Sequence, residues 1–366
     1  MRVCFVKSQW LFLTLVCPLL AQPPATFSVD VNLVRVPCVV TQANGAPVLN
    51  LSKEDFIVLE DGKPQEVKYL WQELDLPLTV ILVVDVACHS LANNYTQEIV
   101  GFLDHALSPG DRVAIVAVTD QARVVTDLTG SKERVRSGAE TLRQVTDSME
   151  KPSTSTMNPR RLFGPTLGDP CVGSVPGPWS DSAFPCGPEV LWNAVFFSSR
   201  LGLRPQTGRK ALLLITGGLD TGSDHNLEEA IGACQSADTL VYSIRYLNHF
   251  SLTQAPVVPE GQARAGILEP RASPVLNSRD YWISREKPNL DQISRQTGGL
   301  AFDAKNTKLA DVLDRIQADL RSQYVLGFVP SSVHNPRGFH KLQVKVTAPG
   351  LKVRAQDRYY SATSVP

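Results

Sequence analysis

Val80-Ile81-Leu82-Val83-Val84-Asp85, continuing as Val86-Ala87-Cys88-His89-Ser90, is the stretch whose reading decides the fold. An aliphatic run this short is no buried helix and suits a strand covered on both faces, as in a parallel sheet. It stops at a carboxylate, so Asp85 is expected at the strand's carboxyl end, where open α/β sheets bind their ligands. A second run, Ala211-Leu212-Leu213-Leu214-Ile215, ends in Thr216-Gly217-Gly218-Leu219-Asp220-Thr221-Gly222-Ser223. Two buried strands that both run into polar or glycine-rich loops imply one shared crevice.

Outward from these strands, helical and strand periods alternate. Residues 95–107, 132–146, 190–203, 226–238 and 306–321 carry helical spacing, while 111–118, 123–126, 240–244 and 300–302 read as strands. Such alternation predicts a Rossmann-like, doubly wound, mostly parallel sheet with helices on both faces. Two stretches interrupt it. Residues 151–188 hold eight prolines and five glycines, and 246–289 hold five prolines with little periodicity, so both read as irregular insertions.

The two ends of the chain follow another rule. Residues 27–72 alternate apolar and polar side chains, with turn signals at Asn44-Gly45 and Asp61-Gly62. The same alternation returns at 323–330, 339–347 and 351–355. A small antiparallel β-domain built from both chain ends is the expectation, since each end alone offers too few strands to be stable. The boundaries read as 1–21 for a leader, 22–75 and 323–366 for the two parts of the β-domain, and 76–322 for the α/β domain.

Arg2 and Lys7, then the apolar run Trp10–Leu20, then Leu19-Leu20-Ala21 have the form of a signal peptide cleaved before Gln22. The chain is therefore expected to be secreted or to lie in the periplasm or cell envelope, with no transmembrane segment after cleavage. With 36 basic and 36 acidic residues, nothing draws it to nucleic acid or anionic lipid. Cys38, Cys88, Cys171, Cys186 and Cys234 remain beyond the leader, an odd number. Cys171 and Cys186, flanking the first insertion, are the candidate disulfide, with Cys88 as a competing partner. Cys234 has the spacing of a buried helical residue.

Several segments, taken in order, resemble the von Willebrand factor type A domain, in the VWFA-related group described from Acidobacteria. They are Val34–Pro37, Leu51–Gln65, Leu76–Asp85, Asp111–Ala114, Arg209–Leu212, Tyr324–Pro330 and Val353–Ala355. The resemblance covers nearly all of the chain after the leader. It implies a crevice that usually holds Mg²⁺ through an Asp-x-Ser-x-Ser loop, a Thr of a second loop and an Asp of a third. Here Ala87 and His89 stand where the serines would be, Glu189 aligns with the Thr and Gly217 with the third Asp; Asp85 alone is kept. One oxygen ligand cannot hold Mg²⁺ against its hydration shell, so a degenerate site with no cofactor is expected. The alternative is a changed metal, with Asp85, His89 and Glu189 as a one-imidazole, two-carboxylate set for Zn²⁺ or Mn²⁺.

The resemblance further implies adhesion or assembly, hence binding to a protein partner in the envelope or outside the cell. Ser90 and Asp220 flank the crevice as candidate contacts, although loop capping is the simpler role for both. Trp179 and Phe184 lie in the insertion that leads to Glu189, and aromatic anchors favour interfaces; a small private core is their other reading. For an enzyme the motifs are missing: the sequence has no His-Glu-x-x-His, Gly-x-Ser-x-Gly or Gly-x-x-x-x-Gly-Lys run. A purely structural envelope subunit is the third class, which sequence does not separate from the first.

Overall fold

In a computed structural model, residues 33–72, 76–86, 98–103, 108–149, 189–245, 278–304, 307–330 and 337–362 are described. The sequence quoted above forms β5 (Leu78–Asp85), at the centre of a six-stranded sheet. Its neighbours are β6 (Arg112–Val118) and β8 (Arg209–Thr216), both parallel to it. Beyond β8 come β9 (Leu240–Arg245) and β10 (Ala301–Asp303), also parallel. Beyond β6 lies β7 (Ala122–Thr129), the single antiparallel member. The sheet is thus mixed, mostly parallel and flanked by helices, as its sequence predicts.

Alternation along β5 sorts its side chains between two cores. Val80, Leu82 and Val84 face a cluster with Ile99 and Leu103 of α1 (residues 98–103), Val135 and Leu142 of α2 (Lys132–Met149), and Leu313 and Ile316 of α6 (Leu309–Arg321). Ile81 and Val83 face Leu191 and Val195 of α3 (Leu191–Phe197), Ile231 of α4 (Leu227–Ser236), and Leu290 and Ile293 of α5 (Ser278–Thr297). Each such side chain contributes roughly 1.5–3 kcal/mol when fully buried. The buried carboxylate of Asp111 fixes the lower edge, accepting from Leu78 N (2.7 Å) and Ser108 N (2.8 Å).

The two chain ends pair into two four-stranded antiparallel sheets. In one, β1 (Val34–Thr41) lies between β11 (Gln323–Phe328) and β13 (Lys352–Ala355), with β4 (Tyr69–Gln72) beyond β11. In the other, β2 (Phe56–Glu60) lies between β3 (Lys63–Gln65) and β12 (Arg337–Val346), with β14 (Arg358–Ala362) at the far edge. Val36, Cys38, Phe56, Val58, Leu326, Phe328 and Leu342 fill the space between the two sheets. Cys38 and Cys234 are free and fully buried, and burial pushes the Cys234 thiol up to about 12, which makes it inert.

Two elements differ from the sequence expectation. The stretch 246–289 is not irregular throughout, because α5 begins at Ser278 and runs through Pro288. That proline removes one helical hydrogen bond and hides the period; the helix is held by Leu290 and Ile293 beyond it. Strand β14, after the last expected strand, pairs with β12 from Arg337↔Ala362 to Lys341↔Arg358. The leader, Cys171, Cys186 and the rest of the first insertion lie outside the described residues. Among the described residues no helix is long and apolar enough to cross a membrane.

Because β1 takes both neighbours from the far end, a chain truncated before Gln323 should lose cooperative unfolding and aggregate. Hydrogen exchange checks it: a soluble truncation with unchanged amide protection over 34–41 would contradict the pairing.

Candidate functional site

The strand order runs outward in both directions from β5, so the crevice predicted by sequence opens where β5, β6 and β8 end. Its floor is a set of hydrogen bonds between segments distant in sequence. Asp85 accepts from the hydroxyl of Thr216 at 2.9 Å, and that hydroxyl in turn accepts from Gly218 N at 2.9 Å. Val86 N donates to Val118 O (3.0 Å), and Val190 N donates to Thr119 O (3.3 Å). Thr119 is buried, and its hydroxyl lies 2.9 Å from Asp120 Oδ1.

Glu189 is 3% exposed and is stitched to the loop that follows β8. Its amide donates to Thr221 Oγ1 (3.1 Å), while its carbonyl accepts from Thr221 N (3.0 Å) and Gly222 N (2.9 Å). The same loop caps α3. Val190, at the helix N-cap position, gives no side-chain bond. Asp220 Oδ1 accepts instead from Trp192 N (3.1 Å) and from the Ser223 hydroxyl (2.5 Å). Ser223 Oγ accepts from Asn193 N (3.0 Å), and Asn193 Oδ1 accepts from His225 N (3.0 Å). Two orphan amides of the first turn are thereby satisfied across the crevice. The carboxylate also sits favourably against the helix dipole. Burial pushes the Asp220 carboxyl up from its ordinary range, and the bonds from Ser223 and Trp192 offset this in part.

Asp85, Glu189, Gly217 and Asp220 are thus brought to one crest. Ala87, His89, Ser90, Trp179 and Phe184 lie outside the described residues. Gly217 has no side chain to offer a cation, and the one proton of Thr216 Oγ1 is committed to Asp85. Among the described residues no three His, Cys, Asp or Glu side chains gather in a metal-holding group.

Beside the crest is a cluster that sequence reading does not isolate. His225 stacks on Phe196 with ring centroids 3.7 Å apart, Phe197 meets its edge, and Arg200 lies 5.6 Å from the Phe196 centroid. Glu229 approaches the imidazole at 3.5 Å. Phe196 and Phe197 have ordinary helical spacing, and the π-helical turn Ser198–Leu203 that follows them has no sequence signature.

If Asp220 acts as a cap, Asp220→Ala should cost about 1–2 kcal/mol and lower the melting temperature by a few degrees. Asp220→Asn keeps the Oδ1 acceptor and sheds the buried charge, so it should change stability by less than about 1 kcal/mol. Equal losses in both variants, followed by thermal unfolding, would show that the charge itself is what the crest needs.

No known family model matches the chain, and no curated protein matches it. Solved structures to which it is similar include an aerotolerance-related membrane protein from Bacteroides fragilis, at 11% identity over 66% of this chain and 98% of that one, with a TM-score of 0.36. BatB from Bacteroides thetaiotaomicron shares 13% identity over 66% of this chain and 97% of its own, at a TM-score of 0.37. Proximal thread matrix protein 1 of the mussel byssus, with a zinc-occupied MIDAS motif, shares 13% over 70% of this chain and 48% of its own, at 0.39.

Proposed function

We propose that this chain is an exported, non-catalytic module that binds another protein through the rim of the crest. The observation that carries this reading is how the crest uses its polar groups. Asp85 is bonded to Thr216, and Asp220 caps α3. The backbone of Glu189 ties two loops together. Carboxylates engaged in this way build a firm rim and are poorly placed for general acid–base work, which needs a group free to exchange its proton with a substrate. The sequence motifs of hydrolases and nucleotide-binding enzymes are also missing. The binding class itself rests on the type A resemblance of the sequence, and fold alone does not assign a function.

In this reading the crest holds no Mg²⁺, because Ala87, His89, Glu189 and Gly217 replace four of the five usual ligand positions. The partner is a protein of the cell envelope or of the exterior, and the even charge supplies no pull toward nucleic acid. Cys171 and Cys186 close the first insertion by a disulfide and present Trp179 and Phe184 beside the rim. A second reading, Zn²⁺ or Mn²⁺ held by Asp85, His89 and Glu189, draws on Asp85 and Glu189 sharing this crest. Elemental analysis of the purified protein separates the two.

The binding role is tested by capture from envelope extract. Trp179→Ala with Phe184→Ala should abolish retention of the partner and leave the melting temperature within about two degrees, less than about 1 kcal/mol in stability. A double variant that loses stability and keeps its partner would place these aromatics in a core and the binding surface elsewhere.

Millimolar Mg²⁺ should leave the melting temperature unchanged. A rise abolished by Asp85→Ala would reveal a working cation site.

A further inference from the structure

Glu60 ends β2 and Asp61 follows it in the turn to β3, whereas His340 and Tyr359 come from β12 and β14, nearly three hundred residues later in the chain. The Tyr359 hydroxyl donates to Glu60 Oε1. His340 Nδ1 lies 2.9 Å from Asp61 Oδ2 and 3.8 Å from Glu60 Oε1. The imidazole stacks on the Tyr359 ring with centroids 5.2 Å apart and planes 22° from parallel. Glu60, His340 and Tyr359 are 1%, 4% and 5% exposed. Asp61 is half exposed and also accepts from Lys341 N at 2.9 Å.

A buried carboxylate is costly unless it is hydrogen-bonded and paired. In its imidazolium form His340 stands between two carboxylates, Glu60 on one side and Asp61 on the other. Two carboxylates within about 4 Å favour a charged ring, while burial opposes it. The direct bond to Asp61 and the access of Asp61 to water tip that balance toward charge. Of the other groups here, Lys63 of β3 acts on Asp61 by its charge, and Lys341 of β12 acts through its backbone N–H. Arg358 of β14 is turned away to Glu228. Phe328 of β11 meets Tyr359 by its edge and carries no charge.

We propose that His340 is an imidazolium in the folded protein and serves as a pH-sensitive clasp between the two ends of the chain. It holds β2, β12 and β14 together when protonated and releases them as the pH rises. In support, the bond to His340 holds the Asp61 carboxyl below the usual carboxylate range. Burial, with Glu60 beside it, drives the Tyr359 phenol well above its ordinary value, so the hydroxyl remains a donor. The sign follows from linkage. A histidine whose pKa is raised on folding stabilises fully below its unfolded value of about 6.5. That contribution is lost as pH rises through the folded value.

The test is a proton-NMR titration of the full chain with labelled histidine. His340 should titrate above the unfolded value of about 6.5, and Asp61→Asn should lower its midpoint. Asparagine keeps one oxygen acceptor, enough for Lys341 N, and tolerates the left-handed φ of 49° that Asp61 adopts before Gly62, so this variant preserves the turn. Thermal unfolding gives the second readout. The wild-type melting temperature should fall by several degrees between about pH 6 and about pH 9, and His340→Gln should flatten that fall. A His340 midpoint at or below the unfolded value, or one that Asp61→Asn leaves unmoved, would overturn the clasp. If His340→Gln does not fold, the clasp is overturned when no histidine resonance both titrates above about 6.5 and moves down in Asp61→Asn.

Discussion

Strand β1 takes both of its hydrogen-bonded neighbours from the far end of the chain, and the rest of the structure depends on that closure. Without β11 and β13 it would present two open edges, an arrangement that invites aggregation. The closure also reaches the α/β core. One face of β1 puts Val36 and Cys38 between the antiparallel sheets, while Val39 on the other face joins the cluster around Val80 and Ile316. Helix α6 ends at Arg321, and β11 begins two residues later. Arg209 at the start of β8 donates to Leu320 O at 2.9 Å, and Arg354 of β13 pairs with Asp319. The last helix of the core is thus fastened to both layers, which fixes where the β-domain stands.

The crest follows from the same geometry. Parallel strands pointing one way bring the ends of β5, β6 and β8 together, and the segments leaving them must satisfy their backbone groups there. They do so by bonding to one another: Glu189 to the loop after β8, that loop to the first turn of α3, and Val190 to Thr119. Side chains that a sequence reader would assign to ligand binding are spent on this stitching. Under the binding-module reading, a rim fixed in this way has little conformational entropy to lose on meeting a partner, which lowers the cost of association.

The central sheet was legible because β5 is buried on both faces and reads as an uninterrupted aliphatic run. The antiparallel layers were legible from strands such as β2 and β12, where one face is wet and imposes period-2 alternation, although β1 and β11 are buried on both faces. Helix α5 was not, since Pro288 and a polar first half hide its period. At the crest, sequence located Asp85 and Asp220 and left their partners unnamed. Thr216 meets Asp85 across 131 residues, and Trp192 meets Asp220 across 28. Local periodicity carries no information about such pairs; register does, since Val84↔Ile215 in the parallel pairing brings the next residues, Asp85 and Thr216, side by side. The Glu60–His340–Tyr359 cluster escaped for the same reason, its members being nearly three hundred residues apart.

An acidic residue at the edge of an apolar sheet needs a compensating donor, whatever else surrounds it. In a crevice that holds a divalent ion, the ion supplies that compensation. Here a threonine one strand away supplies a hydrogen bond to Asp85, and the amide of Trp192 supplies one to Asp220. Under the binding-module reading, the persistence of Asp85 is therefore a matter of architecture. It anchors the end of β8 to the end of β5 at the point where both strands leave the sheet. Removing the Thr216 hydroxyl leaves a partly buried carboxylate and the amide of Gly218 each short of one partner, so that position is sensitive to substitution.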